Sequence, residues 1–551
     1  MGSDFVDPDS YWVNLVERWN ANNQQTALVM ADPETAFRMI ALQNLPEVNT
    51  DINPIWQAFY ATRPEAKIAD KISAFYLTAN DKFGTMIDAP QSSAWLTATM
   101  NAHYDNIGGV SFDSVWESTQ RPRFQQTIAT SANDLATTLA QIASGVNASA
   151  LIFNSSSWQR SEVVEINDAS FGARTIPNAQ RINANTIAVF VDTVPSMGFA
   201  PLKPIDSIRN PTSATQNGNR ITLSNGLVSV TVDGAHGGTI SNLQLSNREF
   251  VSGLGDDLMF IDDNGDVYGS FFGAMRARES DSSATIQILA QGPLVARAQA
   301  VFTVGGQPMT KTVALNADSP RVDVTLDAKA IPGTTALVQM PTTISTTLRT
   351  DDLGFASFTH EIDARPIISG DVTYRRKIFY PTMYWSDVSG NDTGLALITQ
   401  GLQGIAGTNT LSFMLVRDVT ERAEGVTDRE YHTFRYAYLP HVGSIPNLSN
   451  LAYEFNEPLI PVSRVNNQIT VQLPFENRAR QLPVVANAKK FSDSFSLLSA
   501  DSGIVADLFS RNGAMNALVL DYDPESPATI RAATNITLPN ASINLTPVQL
   551  R

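Results

Sequence analysis

The chain has 551 residues, 43% of them hydrophobic and 17% charged, with a formal net charge of −16. That composition describes a globular protein long enough for several domains, and acidity without a local Lys/Arg run sets nucleic acid aside as a partner. Cysteine is absent, which excludes disulfides, thiolate zinc sites and a cysteine nucleophile. No apolar run approaches the roughly 20 residues that span a bilayer. Met1-Gly2-Ser3-Asp4-Phe5 lacks the basic-then-apolar order of a signal peptide. A soluble chain is expected, with its compartment unassigned.

Residues 1–50 read as helix, strand, helix. Trp12, Leu15, Val16 and Trp19 fall at helical spacing, and Ala27-Leu28-Val29-Met30 is a short apolar strand. Asp32-Pro33-Glu34-Thr35 then opens a second helix, with Asp32 as its cap. One such unit cannot bury its own faces. It is expected either to dock on the rest of the chain or to be the C-terminal remnant of a larger α/β domain.

Residues 51–147 read as a helical bundle. The segment ending at Lys67 leads into a helix carrying Ile68, Ile72, Phe75 and Leu77 as core packing, and further helices are predicted over about 91–103, 111–120 and 124–144. Among them lies Asn101-Ala102-His103-Tyr104-Asp105-Asn106-Ile107-Gly108-Gly109-Val110-Ser111. Two readings of this stretch stand. A carboxylate two residues from an imidazole can bind a metal or hold sugar hydroxyls through charge-assisted hydrogen bonds. Alternatively it is a helix C-terminus at which His103 is favoured by the dipole and Asp105 caps the next segment.

From about residue 148 the period changes to two and β-branched residues dominate, which predicts strands. A small β-sandwich is expected over 148–210, a large one over 211–475 and a further β segment over 476–551. Arg220 through Asp233 reads as two alternating strands around an Asn225-Gly226 turn. His236, His360, His432 and His441 read as surface or satisfied core residues. Asp256-Asp257, Asp262-Asp263 and Asp351-Asp352 read as solvated turns, with a calcium site as the lesser alternative. The expected class is a multidomain α+β chain.

Several stretches together resemble family 38 glycoside hydrolases, the retaining α-mannosidases. Trp56, Phe59, Tyr60, Arg63, Pro64 and Lys67 fall on the family's Trp-x-Gly-Phe/Tyr-Tyr-x-Ser-Arg-Pro-x-x-Lys pattern, with Ala58 and Thr62 replacing its glycine and serine. Asn101, Asp105 and Gly109 fall on Asn-Gln-x-His-Asp-x-x-x-Gly-Ser/Thr. Leu151 through Arg160 resembles the entry to the first β domain and Val194 through Phe199 its exit. The hairpin from Arg220 resembles the opening of a mutarotase-like β-sandwich. The resemblance implies the C-terminal portion of such a protein: the end of an α/β catalytic domain (1–50), a three-helix-type bundle, then β-sandwich domains including the large mutarotase-like one.

The same resemblance implies a retaining mechanism, in which one carboxylate attacks the anomeric carbon and another serves as acid and then base, and a zinc ion that holds sugar hydroxyls. In the family the nucleophile, the acid/base and a His-x-Asp ligand pair lie upstream of the segment matched by Trp56–Lys67. No His precedes His103. These groups are therefore expected to be missing from the chain, which would be inactive without an N-terminal catalytic domain or subunit. Its contribution would be one wall of an α-mannoside pocket. Asp105 stands on the carboxylate that hydrogen-bonds mannose, and Tyr104 occupies the slot of a zinc-ligand histidine as a phenol or stacking face. Tyr268 presents a second ring, and His103, one residue early, is the candidate metal ligand. The alternative is a non-catalytic carbohydrate-binding or assembly protein derived from the family, favoured by Tyr104 in that slot. A third reading is an unrelated β protein of structural role.

Overall fold

The computed structural model describes residues 9–43, 56–167, 176–203, 207–354, 356–418, 425–444, 447–501, 503–511, 514–521, 529–532, 535–537 and 543–549. Two units are distinguished, Met1–Ile52 and Asn53–Arg551. The first holds helices α1 (Tyr11–Asn22) and α2 (Pro33–Ala41). Asp32 caps α2 by accepting from the Thr35 N–H at 2.7 Å, and Pro33 fills the first turn, where no amide hydrogen is needed. The expected strand at Ala27–Met30 is not formed. Asn20 engages both backbone groups of Leu28 at 2.8 Å, in the manner of a partner strand that is absent. No residue of α1 or α2 is buried. The expected border near residue 50 falls in 44–55, outside the described residues.

The second unit begins with helices. These are α3 (Pro64–Gly84), α4 (Ala94–Asn101), α5 (Tyr104–Ile107), α6 (Asp113–Val115), a π-helical turn Trp116–Gln120, and α7 (Arg121–Gly145). Phe75, Tyr76 and Phe83 of α3 and Leu135, Leu139 and Ile142 of α7 share one core with Leu151, Phe153, Phe199, Val462, Val505 and Val519 from strands. The helices are therefore half of a helix-on-sheet layer. Helical periodicity reveals an apolar face but not its cover.

One six-stranded sheet crosses the expected segment borders: Ile460–Val465 pairs with Ala150–Asn154, which pairs on its other side with Gly198–Pro201, and Phe495–Ser496 adds to that edge. Strands on both sides of the large β region thus close into one sheet. The large region itself is built from a five-stranded, a six-stranded and a nine-stranded sheet. Their inward residues, among them Leu223, Val230, Phe260, Val324, Phe413 and Tyr436, form a common core. The expected hairpin is present, with Leu223 opposite Val230 and Gly226 at φ +77°, a backbone state that favours glycine.

The reading of the acidic pairs as solvated turns is overturned. Asp256, Asp257, Asp263, Asp351 and Asp352 are all buried. Asp257 meets Arg278, Asp263 meets Arg417 and Asp351 meets Arg349, each within 2.9 Å. Except for Arg349, the neutralising cations lie far away in sequence, so local pattern could not reveal them.

Candidate functional site

The turn carrying His103, Tyr104 and Asp105 is placed by helix ends. The buried Asn101 side chain closes α4, donating to Thr127 Oγ1 at 3.1 Å and accepting from Arg123 Nε at 2.6 Å, which ties it to α7. His103 then leaves helical backbone and caps α5, its Nδ1 accepting from the Asp105 N–H at 3.3 Å. A ring nitrogen that accepts carries no proton. The His103 ring packs on Tyr104 with centroids 4.5 Å apart. The Asp105 side chain is 54% exposed, and Tyr104 is 57% exposed. Among the described residues the Asp105 carboxylate accepts no hydrogen bond; its Oδ2 stands 3.9 Å from His103 Nδ1.

Tyr268 comes from the other side. Its half-buried ring lies 5.6 Å from Trp56 and 5.8 Å from Phe59, which are themselves 5.5 Å apart. A Cβ placed on Gly108 would stand 3.1 Å from Phe59 Cδ2, so the α5 turn abuts this aromatic group. The turn that carries Tyr104 and Asp105 thus abuts Phe59, on whose ring Tyr268 packs. Trp56, 39% exposed, and Phe59 complete the aromatic surface, although sequence pattern marks them only as motif or core residues. The motif carries their signal, but not their exposure.

Two buried cations hold the turn in place. Arg63 starts α3 in left-handed backbone (φ +45°) and donates to the carbonyls of Gly109 and Ser111 and to Asp113 Oδ1, its guanidinium 5.1 Å from the Trp116 ring centroid. Lys67 Nζ donates to Thr62 O and Ile107 O at 2.8 Å and reaches Gly108 O at 3.5 Å. Burial pushes the Lys67 ammonium down to about 7, opposed by Asp428 and reinforced by Arg63. Gln120 Nε2 donates to Asn106 Oδ1 and Ser111 Oγ, both at 2.7 Å. The Tyr268 loop is held similarly. Asp266 Oδ1 accepts from the N–H groups of Tyr268 and Gly269 at 2.9 Å and from Tyr374 Oη at 2.7 Å. Burial raises the Asp266 carboxyl, but these bonds outweigh it and leave the group below the usual range.

A protein zinc centre takes three or four ligands. Among the described residues no three His, Cys, Asp or Glu converge. His103 Nδ1 is 3.9 Å from Asp105 Oδ2 and already serves as a helix cap. The described side chains therefore do not fit a zinc ion by themselves. Each other histidine sits beside an aspartate: His360 by Asp351 (2.7 Å), His432 by Asp428 (2.6 Å), His441 by Asp387 (3.1 Å) and His236 by Asp233 (3.3 Å).

Comparison with known proteins agrees with this architecture. Residues 223–423 match the family described as "Glycosyl hydrolases family 38 C-terminal domain". The chain is 26% identical over 336 residues to alpha-mannosidase 2C1 of Mus musculus and 24% identical over 333 residues to that of Homo sapiens. Each match covers 56% of this chain and 30% of the relative, so the matched region is under a third of the curated proteins' length. The crystal structure of an alpha-mannosidase from Enterococcus faecalis V583 superposes with a TM-score of 0.75 at 13% identity, covering 98% of this chain and 74% of that one. A second Enterococcus faecalis protein, in glycosyl hydrolase family 38, gives 0.74 at 13% identity, covering 100% and 76%. At that identity the likeness is one of fold. Among the described residues no helix is long and apolar enough to cross a membrane.

Proposed function

We propose that the chain is the C-terminal portion of a family 38 glycosyl hydrolase, a reading supported by the match over residues 223–423 and the likeness of fold to an alpha-mannosidase, and that it forms one wall of an α-mannoside pocket and turns over substrate only with an N-terminal α/β catalytic domain. The observation that carries this reading is the exposed Asp105 carboxylate, which accepts no hydrogen bond among the described residues, on a turn that abuts Phe59 of the Trp56–Phe59–Tyr268 group. Asp105 accepts two sugar hydroxyls, each such charged bond being worth about 1.5–3 kcal/mol. The rings offer an apolar face to the C–H side of the sugar and exclude water from it. In the first unit the exposed Trp12, Trp19, Phe37 and Leu42 offer the apolar surface such a domain would cover. The nucleophile and acid/base come from that domain, as does any zinc centre, to which His103 adds at most one ligand. By the same reading the segments 51–147 and 211–475 correspond to the family's helical bundle and mutarotase-like sandwich.

A second reading, sugar binding without catalysis, is favoured by one observation: Tyr104 packs at a 31° tilt on the capping His103 at the turn. The two readings part in one experiment. The pure chain is expected to give no turnover of an aryl α-mannoside above background. Joined to its catalytic domain, it should be active, and Asp105→Ala should lower sugar affinity or turnover by roughly tenfold to a hundredfold. Turnover by the chain alone, abolished by changing one of its own residues, refutes the proposal. A silent Asp105→Ala in the joined enzyme removes Asp105 from it.

A further inference from the structure

A cavity of about 590 Å³ lies away from the Asp105 turn, between the outer face of the nine-stranded sheet, the strand Arg160–Asn167, the helix α8 (Leu448–Asn456) and the segment Gln472–Phe475. Its volume is that of a ligand site. Its charges are nearly all spoken for. Arg297 pairs with Glu165 and Arg321 with Asp323. Glu162 accepts from Arg160 Nη2 at 2.6 Å, and Glu454 from Trp158 Nε1 at 2.7 Å.

Arg435 differs. Among the described residues its guanidinium has neither a hydrogen bond nor a carboxylate within ion-pair distance; it rests 5.5 Å from the Phe475 ring centroid. Asp327 on the neighbouring strand attracts it from farther away, but an oxygen of that carboxylate already accepts from Thr433 Oγ1 at 2.6 Å. Phe475 has φ +69°, a backbone state bulky residues seldom adopt. Strain of this kind gathers at ligand sites. Thr325 stands directly opposite Arg435 on the adjacent strand, and Thr312 opposite Thr325 on the next. A planar guanidinium held on a ring face beside two hydroxyls matches the geometry of a carboxylate or phosphate.

We propose that this cavity binds a sugar-sized molecule bearing an oxyanionic group, with Arg435 receiving the anion and Thr312 and Thr325 lending hydroxyls. The site is independent of the mannoside reading above.

The test titrates the full chain with inorganic phosphate, glucose 6-phosphate, glucuronate and, as a neutral control, methyl α-mannoside, reading binding by calorimetry. At least one of the two anionic sugars is expected to bind, and which of them is tighter identifies phosphate or carboxylate as the recognised group. Arg435→Gln should weaken that binding roughly tenfold or more. Thr325→Glu, which sets a carboxylate against Arg435 without removing it, should do the same, while Arg435→Lys keeps part of it. Failure of both anionic sugars to bind overturns the proposal, even if inorganic phosphate does. So does binding that is unchanged in Arg435→Gln and Thr325→Glu.

Discussion

Lys67 Nζ lies 2.8 Å from the carbonyl oxygen of Ile107, the last residue of the short helix that carries Asp105. A buried ammonium thus closes the C-terminal end of that helix, where the dipole favours positive charge. Removing it strands the buried Thr62 carbonyl and the part-buried Ile107 carbonyl, and an unsatisfied buried group costs about 1–3 kcal/mol. Lys67→Met should therefore destabilise the chain by roughly 2–4 kcal/mol in urea unfolding, with Lys67→Arg recovering part. The pH dependence has a defined sign. The folded ammonium titrates at about 7 against an ordinary 10.5, so between those values the unfolded chain binds more protons. The Lys67 contribution to stability therefore rises with pH through that window and is lost as pH falls through the folded value. Lys67→Met should flatten that slope.

Gly109 has φ +71°, and an added Cβ would stand 2.6 Å from Thr62 O and 2.9 Å from Arg63 Cβ. Backbone, not a flexible side chain, is the first obstacle. Gly109→Ala should cost about 2–4 kcal/mol in thermal or denaturant unfolding, and should weaken sugar binding by shifting the turn that presents Asp105.

Arg417 is fully buried, donates through Nε and Nη2 to Asp263 Oδ2 at 2.9 and 2.8 Å, and reaches the Asp266 carbonyl at 3.1 Å. Arg417→Met leaves a buried carboxylate without its cation, a loss of about 3–5 kcal/mol. The double variant with Asp263→Leu should recover much of that stability. It should not restore the order of the Tyr268 loop, which an increase in backbone hydrogen exchange at residues 266–269 would report.

Burial pushes the Asp507 carboxyl up to about 8, with Asp81 adding to the effect and Lys82 opposing it. A raised folded value means the folded chain holds the proton longer, so this contribution to stability is complete below 3.8 and is lost as pH rises through about 8. Asp507→Asn cannot titrate. It should be more stable than the parent at pH above 8, by at least about 1 kcal/mol, with the difference shrinking toward acid pH.

Asp105→Ala should leave global stability within about 0.5 kcal/mol, because the carboxylate is exposed and its neighbour His103 Nδ1 stands 3.9 Å away, beyond hydrogen-bond distance. A larger loss in urea unfolding would mean a structural role instead of a binding one. His103→Ala removes the α5 cap and should cost about 1 kcal/mol. It should not alter the zinc content of the purified chain, read by elemental analysis, since no third ligand converges there among the described residues.

Local chemistry was legible in the sequence wherever its cause was local. Asp32 and Pro33 start a helix because a short acceptor and a fixed φ suit its first turn. Asn225-Gly226 turns a hairpin because glycine tolerates positive φ. The change of period near residue 148 marks the passage from helices to strands. The ordered motifs pointed to a family resemblance without any knowledge of contacts, and residues 223–423 match that family's C-terminal domain. Tertiary structure decided the partners those elements meet. Pairing across hundreds of residues set Ile460–Val465 beside Ala150–Asn154 and gave α3 and α7 a sheet to pack on. It converted apparent solvated turns such as Asp263 into buried ion pairs, because the neutralising Arg417 arrives from another strand. It also left Asp105 exposed on a turn that abuts Phe59 while burying Arg63 and Lys67 against that turn's carbonyls. Spacing reports which way a side chain points along its own element; exposure and partnership depend on the neighbours, and those are chosen only when the whole chain closes on its core.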